Sequence, residues 1–473
     1  MSGTLARLGV QGPEEAEIRE FLSRLEGDGI ETVRFLFSDQ HGLLRGKALT
    51  VSAAESACRN GVTAPSSLLL KDTSHRTAFP VWDEDAGFGP GVMTGAGDIL
   101  LVPDLSTYRR LPWSPHSAWV LCEVVQSDGT AIPFAPRTVL RDALARLHDR
   151  GIDMVCGLEV EFHIFAQSGV ALTHEGGGMP GSPPHTAPLN HGYQLLTDTL
   201  YSEMEDLLDE IRRAAQAMGM PVRSIEVEFG PSQVEVTFDP APAWTHAETM
   251  VMFRALAKQV CARRGLLASF MCRPIAPNIA ASGWHLHQSL VDRETGRNLF
   301  TPETDTPSAT ASAWIAGLLD HAAECCLITT PTVNGYKRYQ PHQLAPDRIQ
   351  WGRDNKGAML RALFQPGDAA SRIENRVPEP AATPHYVMAA QILSGLSGLD
   401  RALVPPAPVE RPYETDAPAL PANLGAAIAA FDTGELFRNH PLRSYLATLK
   451  RAEWQRYLSA LSEWEQREYL SAF

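Results

Sequence analysis

Two segments of the chain place pairs of glutamates in stretches that otherwise have the composition of buried strands. The segments read LEVEFHIF and SIEVEFGPSQVEVTF. Side chains two residues apart on a strand point to the same face, so we expect Glu159 and Glu161 to project together, and likewise Glu226 and Glu228. A sheet built from these strands must therefore accommodate several carboxylates beside its valines, isoleucines and phenylalanines.

A solvent-exposed outer face of an antiparallel sheet is the ordinary place for one such pair. Glu235, on the second strand of the same hairpin, adds a further carboxylate. Like charges that face each other across strands repel, and a bound divalent cation removes this repulsion. Because Mg²⁺ and Mn²⁺ prefer carboxylate oxygens, the pattern favours a metal site and weakens the exposed-face alternative.

Two histidines and a group of basic residues extend this interpretation. In GWHLHQSL, His285 and His287 share a strand face. A lone histidine is usually a satisfied core residue, whereas a same-face pair beside glutamates is also typical of metal ligands. The segments YKR, WGRDNKGAMLR and SRIENR then supply Arg338, Arg353, Lys356, Arg361, Arg372 and Arg376, close in sequence to Glu374. Carboxylates for metals and guanidinium groups for phosphates suit phosphoryl transfer from a nucleotide, although surface salt bridges explain any single arginine.

The length and charge of the chain bound its class. It has 473 residues, of which 44% are hydrophobic and 20% charged, as expected for a globular enzyme of two or three domains. A net charge of −14 argues against nucleic acid or an anionic membrane as a partner, and no apolar run is long enough to span a bilayer. Seven cysteines without a CxxC pair indicate reduced thiols in a cytoplasmic protein.

The pattern of the chain predicts a small N-terminal unit and a larger second one. Residues 1–125 predict an α+β unit, with a helix over Pro13 to Glu26 and then the hairpin strands TVRFLFSD and LLRGKALTV. Residues 126–473 alternate strands and helices before a mostly helical C-terminal third. We expect helices over Leu196 to Met218 and Ala247 to Arg264, followed by a strand pair, ASFMCRPI and GWHLHQSL.

Six motifs resemble, in their order, those of the glutamine synthetase family: LEVEF, EFGPSQVE, GWHLHQSL, YKR, WGRDNKGA and RIENR. The N-terminal FLFSDQHGLLRGKAL is similar to the β-grasp domain of that family, and DILLVPDLST to the closing strand of that domain. The resemblance covers nearly the whole chain. It implies an α+β fold in which a β-grasp domain over residues 1–125 precedes a catalytic domain over residues 126–473, an antiparallel sheet with helices.

The resemblance also implies a binuclear metal site, in which Glu226 is not a ligand. The expected ligands of the first metal are Glu161, Glu228 and Glu235. The expected ligands of the second metal are Glu159, His285 and Glu374. Both EVEF segments would then border one site, which accounts for the paired glutamates.

Further residues match positions that bind the nucleotide and the substrates in this family. The expected nucleotide contacts are His287, Ser289 and Arg372. The expected catalytic residues are Arg338, Lys356, Arg361 and Arg376. The expected substrate contacts are Arg338 and Arg376 for glutamate, Gly283 near its amino-acid end, and Tyr193, Ala64 and Leu344 at the amine site.

The implied activity is an ATP-dependent ligation that uses Mg²⁺ or Mn²⁺. ATP would phosphorylate the side chain of glutamate to γ-glutamyl phosphate, and an amine would displace the phosphate to form an amide. The small-molecule partners would be glutamate, the amine and ATP. The implied assembly is a homo-oligomer, a dodecamer of two hexameric rings with active sites shared between neighbours.

The sequence departs from the family pattern at four places. Family members that use ammonia carry acidic residues where this chain has Ala64, in TAPSS, and Leu344, in YKRYQPHQLAP. The stretch Ala280-Ala281-Ser282-Gly283 lacks the usual Asn-Gly, and Lys356 replaces an arginine, which loses the bidentate fork. Ordinary glutamine synthesis is therefore not the expected reaction.

The two missing acids favour a hydrophobic, weakly basic acceptor. A cationic amine needs a carboxylate to bind it and to take its proton, whereas an aromatic amine such as aniline is neutral and needs neither. We therefore expect a γ-glutamyl ligase for an aromatic amine. Alkylamines or polyamines as acceptors, or another acid as donor, are the alternatives. A non-catalytic relative ranks last, because all six metal ligands are present.

Overall fold

The computed structural model describes residues 3–167, 173–174, 176–178, 180–340 and 344–473. Its N-terminal part is a five-stranded sheet covered by helices, with the strand order β2–β1–β5–β4–β3. Strand β1 runs parallel to β5, and the other neighbours are antiparallel. The elements are α1 (Thr4–Arg7), α2 (Glu15–Gly27), β1 (Thr32–Ser38), β2 (Leu44–Thr50), α3 (Val51–Asn60), β3 (Val62–Pro65), β4 (Asp98–Leu111) and β5 (Ser114–Gln126).

Helix α2 begins with a capping box and packs an apolar face against the sheet. Glu14 and Glu17 form a capping box that satisfies backbone N–H groups at its start. Ile18, Phe21 and Leu25 recur at helical spacing, so one face of the helix is apolar. All three side chains are buried in the core against the sheet.

The second sheet has nine strands and contains the first EVEF segment and the first two residues of the second, because β8 ends at Val227. Its strand order is β12–β13–β14–β11–β6–β9–β8, with β7 and β10 also paired to β6. All pairs are antiparallel except β12 with β13. The strands are β6 (Ile152–Gln167), β7 (Thr186–Pro188), β8 (Val222–Val227), β9 (Gln233–Pro242), β10 (Leu266–Ser269), β11 (Trp284–Asp292), β12 (Trp351–Arg353), β13 (Leu360–Leu363) and β14 (Arg372–Asn375).

Helices cover this sheet and connect it to the first. The guanidinium of Arg137, in the first turn of α4, forms ion pairs with Asp104 and Glu123 of the N-terminal sheet and with Glu248 of α6. This buried network fixes the second unit against the first. The helices are α4 (Pro136–His148), α5 (Asp198–Ala217), α6 (Ala243–Arg263), α7 (Ala309–Asp320), α8 (Ala322–Thr329), α9 (Pro384–Asp400), α10 (Leu424–Thr433), α11 (Leu442–Ser459) and α12 (Glu463–Tyr469).

The α+β fold class is confirmed, and the helices predicted over Pro13 to Glu26, Leu196 to Met218 and Ala247 to Arg264 lie within a few residues of α2, α5 and α6. The strand predicted for ASFMCRPI is wrong beyond Ser269, where β10 ends. Pro274 follows shortly and has no N–H to donate to a ladder. The boundary between residues 125 and 126 stays a prediction.

All seven cysteines are buried and free. In the described part of the chain, no single helix is long and apolar enough to cross a membrane. Helices α7 and α8 reach that length and apolarity only together, across a bend of 74°.

Candidate active site

Acidic and histidine side chains from neighbouring strands meet on one face of the second sheet. Glu161 of β6 lies opposite Glu235 of β9. On the other side of β6, Glu159 lies opposite His285 of β11. Alternate residues of a strand share a face, and the pairing register therefore brings these four side chains together.

The same face continues towards the edge of the sheet. His287 of β11 lies opposite Glu374 of β14, which in turn lies opposite Arg361 of β13. On the far side of β9, Glu226 of β8 is opposite Glu235. The pairing thus collects residues of five sequence motifs into one row.

Burial distinguishes this row from an exposed sheet face. The side chains of Glu161, Glu235, His285 and Glu374 belong to residues that are at most 9% exposed. Exposed strand glutamates would show much larger fractions, so the exposed-face alternative is wrong for these carboxylates. Buried charges require counter-charges, hydrogen bonds or a cation.

Glu159 connects the two histidines. Its Oε2 lies 3.2 Å from Nδ1 of His285, and its Oε1 lies 2.8 Å from Nε2 of His287. Nε of Arg372 donates to Nδ1 of His287 at 3.1 Å, so the ring proton of His287 is on Nε2, facing Glu159. On its other side, His285 Nε2 is 3.6 Å from Oε1 of Glu161.

The buried carboxylates of the first predicted metal set repel one another. Burial and the charge of Glu228 raise the pKa of Glu161 to about 7. Burial, with Glu161 and Glu159 close by, raises the pKa of Glu235 well above its ordinary value. Protonation relieves the repulsion when no cation is present, and a divalent cation would do the same without a proton.

On the histidine side of the row, neighbouring groups lower the pKa values of the carboxyl groups. Burial opposes the charge of Glu159, but hydrogen bonds from His285 and His287 hold the pKa of that carboxyl below its ordinary value. Burial similarly opposes the charge of Glu374, and Arg376 keeps its pKa low. Burial and the charge of Arg376 lower the pKa of His285 to about 4, so its imidazole is neutral, as a metal ligand must be.

The donor set fits divalent cations. In the part of the chain that the structure describes, Oε1 of Glu235 is buried without a hydrogen-bond partner. Two groups of ligand atoms lie within 4.8 Å of one another, namely Glu159 with Glu235 and His285, and Glu159 with His287 and Glu374. Carboxylate oxygens with one histidine suit Mg²⁺ or Mn²⁺.

These two groups differ from the predicted metal sets in their composition. They combine Glu159, Glu235, His285 and Glu374, which were all predicted as ligands, and add His287, which was predicted as a nucleotide contact. The predicted division into two metal sets stays a prediction.

Gln233 is a buried residue that sequence reasoning missed. Its Nε2 donates to Oε2 of Glu161 at 3.1 Å, to the carbonyl of Ala281 at 3.2 Å and to Oγ of Ser282 at 3.1 Å. Its Oε1 accepts a hydrogen bond from N–H of Gly230 at 2.8 Å. The signal was its place in QVEVTF, two residues before Glu235 and therefore on the same strand face.

Gly283 permits a close approach that a side chain would prevent. Its N–H donates to Oε2 of Glu161 at 2.9 Å, and its carbonyl accepts from N–H of Glu161 at 3.1 Å. A Cβ at this position would lie 2.5 Å from Nη2 of Arg338 and 2.8 Å from Nε2 of His285. The glycine therefore joins the expected glutamate site to the metal face.

A cavity of about 560 Å³ adjoins the row, from His287 on β11 to Glu226 on β8. Its walls include all three predicted nucleotide contacts, His287, Ser289 and Arg372. Glu159 and Glu226 also border it. Glu226, which the family pattern left without a role, thus faces this cavity, and its Oε1 accepts a hydrogen bond from Oγ of Ser224 at 2.7 Å.

Three of the four predicted catalytic residues lie at the metal face, and the assignment of Lys356 stays a prediction. Nη1 of Arg361 donates to Oε2 of Glu374 at 3.0 Å, and Arg376 forms an ion pair with Oε1 of the same carboxylate. Arg338 is buried and donates to the carbonyl of Arg376 at 2.9 Å. Lys356 is exposed, and it forms no ion pair with any residue that the structure describes.

The residues predicted for the amine site differ in their exposure. Ala64 is 2% exposed and packs in the N-terminal core. Leu344 is 55% exposed, with the preceding residues 341–343 of its motif outside the described residues. Tyr193 is 53% exposed, and its hydroxyl donates to the carbonyl of Asn278. All three assignments to the amine site stay predictions.

Comparison with known proteins gives similarity along nearly the whole chain. A family model described as the glutamine synthetase catalytic domain matches residues 133–469. A γ-glutamylanilide synthase from an Acinetobacter species is 36% identical, over 95% of this chain and 95% of its own length. A glutamate–isopropylamine ligase from a Pseudomonas species is 29% identical, over 96% of this chain and 97% of its own. A solved GmaS–ADP complex (conformation 1) has a TM-score of 0.80 and 28% identity, with 95% of this chain and 99% of that chain covered.

Proposed function

Since this chain belongs to the glutamine synthetase family of ATP-dependent carbon–nitrogen ligases, we propose that it joins glutamate to a hydrophobic, weakly basic amine, with an aromatic amine such as aniline preferred. The product is a γ-glutamyl amide. The observation that carries this proposal is the buried carboxylate–histidine face, which opens into a cavity bordered by His287, Ser289 and Arg372. The relative at 36% identity, a γ-glutamylanilide synthase, supports the choice of acceptor.

The reaction proceeds in two steps. An oxygen of the γ-carboxylate of glutamate attacks the γ-phosphorus of ATP, and ADP leaves. The amine nitrogen then attacks the carbonyl carbon of γ-glutamyl phosphate, phosphate leaves with the former carboxylate oxygen, and the nitrogen loses a proton. The first step converts a poor electrophile into a good one, and exclusion of water protects the intermediate from hydrolysis.

Six side chains would hold the cations: Glu161, Glu228 and Glu235 at one site, and Glu159, His285 and Glu374 at the other. Bound Mg²⁺ or Mn²⁺ would neutralise the charge of the phosphate oxygens. The raised pKa of Glu161 and the unpartnered oxygen of Glu235 support the first set.

The arginines of the site would bind the anionic substrates. We assign Arg338 and Arg376 to glutamate, because they are buried beside Gly283 and Glu374 respectively, and neither arginine borders the cavity. Arg361 would stabilise charge on the transferred phosphoryl group. Arg372 would contact the nucleotide, supported by its place in the cavity wall and its hydrogen bond to His287.

Two apolar residues favour the proposed acceptor. With Ala64 and Leu344 at positions that carry acids in ammonia-using members, neither position offers a carboxylate to hold an ammonium ion. Apolar contact is worth ~0.8 kcal/mol per buried methylene, so an exposed apolar side chain such as Leu344 can help to hold an aromatic ring. An arylamine is neutral at physiological pH and loses its proton to water once the amide bond has formed.

A branched alkylamine is the second candidate acceptor. The Pseudomonas relative, a glutamate–isopropylamine ligase, supports it at 29% identity. An isopropyl group also fits an apolar lining, but its ammonium form must lose a proton before it can attack. We therefore rank isopropylamine after aniline and a polyamine last. A different acid donor is the remaining alternative, since Ala280 and Ala281 stand where the family has Asn-Gly.

We also propose a ring assembly, a dodecamer of two hexamers, located in the cytoplasm. Helix α12 has no buried residue, and the C-terminal side chains Leu461, Trp464, Leu470 and Phe473 are 61% or more exposed. Apolar groups exposed in this number suit contact with other subunits. The seven free cysteines suit a reducing compartment. Light scattering should give a mass near twelve times 51.6 kDa, and a monomeric mass would contradict shared active sites.

Isotope transfer tests the proposed reaction. Glutamate labelled with ¹⁸O in its γ-carboxylate is incubated with ATP, Mg²⁺ and aniline, and phosphate and amide are analysed by mass spectrometry. We expect one labelled oxygen in phosphate for each γ-glutamylanilide formed. Unlabelled phosphate would contradict γ-glutamyl phosphate, and turnover with a different acid but not with glutamate would favour the other donor.

A further inference from the structure

Two exposed aromatic side chains form a pair at the edge of the metal face. The rings of Tyr193 and Phe229 meet edge to face, with centroids 4.9 Å apart and planes at 74°. The residues are 53% and 48% exposed. Their backbones are also joined, because N–H of Tyr193 donates to the carbonyl of Phe229 at 2.7 Å. The pair is thus a fixed apolar surface that faces solvent.

One end of this pair is attached to the carboxylate cluster. Phe229 directly follows Glu228, and its N–H donates to Oε2 of that glutamate at 3.0 Å. Glu228 in turn lies close enough for its charge to raise the pKa of both Glu161 and Glu235. The ring of Phe229 therefore begins one residue from a predicted metal ligand.

The other end is attached to the segment expected to hold glutamate. The hydroxyl of Tyr193 donates to the carbonyl of Asn278 at 3.2 Å. Asn278 shortly precedes Gly283, whose N–H binds Glu161 at 2.9 Å. Tyr193 has a φ of 65°, a conformation rare for bulky residues, so contacts at both ends hold the ring in this position.

Building on the proposed ligase function, we propose that Phe229, together with Tyr193, forms the wall that contacts the ring of an aromatic amine and thereby determines acceptor specificity. The pair lies between the carboxylates and the glutamate segment, which is where the amine must approach the γ-carboxyl group. Aromatic rings pack well edge to face and offset, so this wall favours an aryl acceptor over a small alkyl one.

A neighbouring subunit is the competing occupant of this surface. Leu195 and Leu196, next to Tyr193, are 50% and 62% exposed and would also suit a protein contact. The two occupants differ in what a change at Phe229 affects. A substrate wall changes the choice of amine, whereas a subunit contact changes the mass of the assembly.

Phe229→Val removes the ring and Phe229→Tyr retains it. For Phe229→Val we expect the ratio of kcat/KM for aniline to that for isopropylamine to fall about three- to tenfold, the range of one aromatic contact. The KM values for glutamate and ATP, the Mn²⁺ activation curve and the mass should not change. Phe229→Tyr should keep the ratio within about twofold on the same scale.

Tyr469→Val is the matched control. It removes a ring from another exposed edge-to-face pair, Trp464 with Tyr469, whose centroids are 5.7 Å apart on the C-terminal helix. This variant should leave the amine ratio unchanged. An unchanged ratio in Phe229→Val, or a loss of assembly mass without a change in ratio, would overturn the proposal.

A binding measurement separates this proposal from the ligase function itself. If the wild type releases no ADP with glutamate and any amine, the proposed function fails. Saturation-transfer NMR of aniline with the Mg²⁺–ADP form of wild type and Phe229→Val then tests independently whether Phe229 contacts the aniline ring. Loss of the aniline signal in the variant supports it, and equal signals overturn it.

Discussion

Glu161 on β6 lies directly opposite Glu235 on β9, and both carboxyl groups are buried. Two acids in this position are unfavourable by themselves, as the raised pKa of each shows. The fold nevertheless supports Glu161 with hydrogen bonds from the amide of Gln233 and the N–H of Gly283. Facing carboxylates that lower stability indicate a functional role, and their chemistry favours the binding of a pair of cations.

The first prediction concerns the metal ligands. Glu161→Ala and Glu228→Ala should each lower amine-dependent ATP turnover by more than about 100-fold, because each removes a charged ligand from the shared site. Glu226→Ala is the matched control, since it removes a carboxylate from the same hairpin that borders the cavity instead. It should retain most of the turnover number. ADP release at saturating Mg²⁺ measures all three variants.

The reverse outcome would show that the roles of Glu226 and Glu228 have been exchanged. An inactive Glu226→Ala together with an active Glu228→Ala would mean that the wrong carboxylate of the second EVEF segment has been assigned to the cation. Mn²⁺ binding, followed by paramagnetic resonance, would identify the true ligand.

The second prediction concerns a buried acid outside the metal face. Glu379 is 0% exposed and accepts hydrogen bonds from N–H of Thr332 at 3.0 Å and from its Oγ1 at 2.8 Å. Burial raises the pKa of Glu379 to about 7. Because the pKa of Glu379 is raised in the folded state, the protonated side chain contributes its full stabilisation below pH 4.5. This contribution is lost as the pH rises through about 7.

Glu379→Gln removes this titration while it keeps an acceptor oxygen. The free energy of unfolding of the wild type, relative to the variant, should fall by an amount on the order of 2 kcal/mol between pH 5 and pH 8. Denaturant unfolding at several pH values measures it. Parallel pH profiles for the two proteins would show that Glu379 keeps the same charge in the folded and unfolded states.

Much of the site follows from the sequence, because strand alternation alone places residues two apart on one face. That rule predicted that Glu159 and Glu161 share a face, as do His285 and His287. In the structure His285 lies beside both glutamates, and both histidines contact Glu159. The order of strands in the sheet does not follow from alternation. It depends on long-range pairing, which neither the alternation nor the motifs specify.

The supporting residues were harder to predict for a physical reason. Gln233 is a neutral amide in a strand, and its importance arises from three acceptors contributed by distant segments. The place of Glu226 in the cavity wall depends likewise on the side chains of neighbouring strands. Ala64 was assigned by motif alone, and its 2% exposure follows from its inward position on β3, which the motif does not encode.

The third prediction concerns Leu344. Leu344→Glu should introduce a carboxylate where ammonia-using family members carry one, so the variant should lose activity with aniline and gain activity with ammonia. Leu344→Met is the control, because it keeps an apolar side chain of similar volume. Steady-state kinetics with each amine at equal concentration measures the change. A variant that keeps the aniline preference would place Leu344 outside the amine site.

The most direct test of the proposed function is a competition among acceptors. Wild-type protein is supplied with glutamate, ATP, Mg²⁺ and equal concentrations of aniline, isopropylamine, putrescine and ammonia, and the amides are quantified by mass spectrometry against ADP formed. We predict that γ-glutamylanilide is the main product, followed by the isopropylamide, with one ADP per amide. Glutamine or γ-glutamylputrescine as the main product would contradict the hydrophobic, weakly basic acceptor.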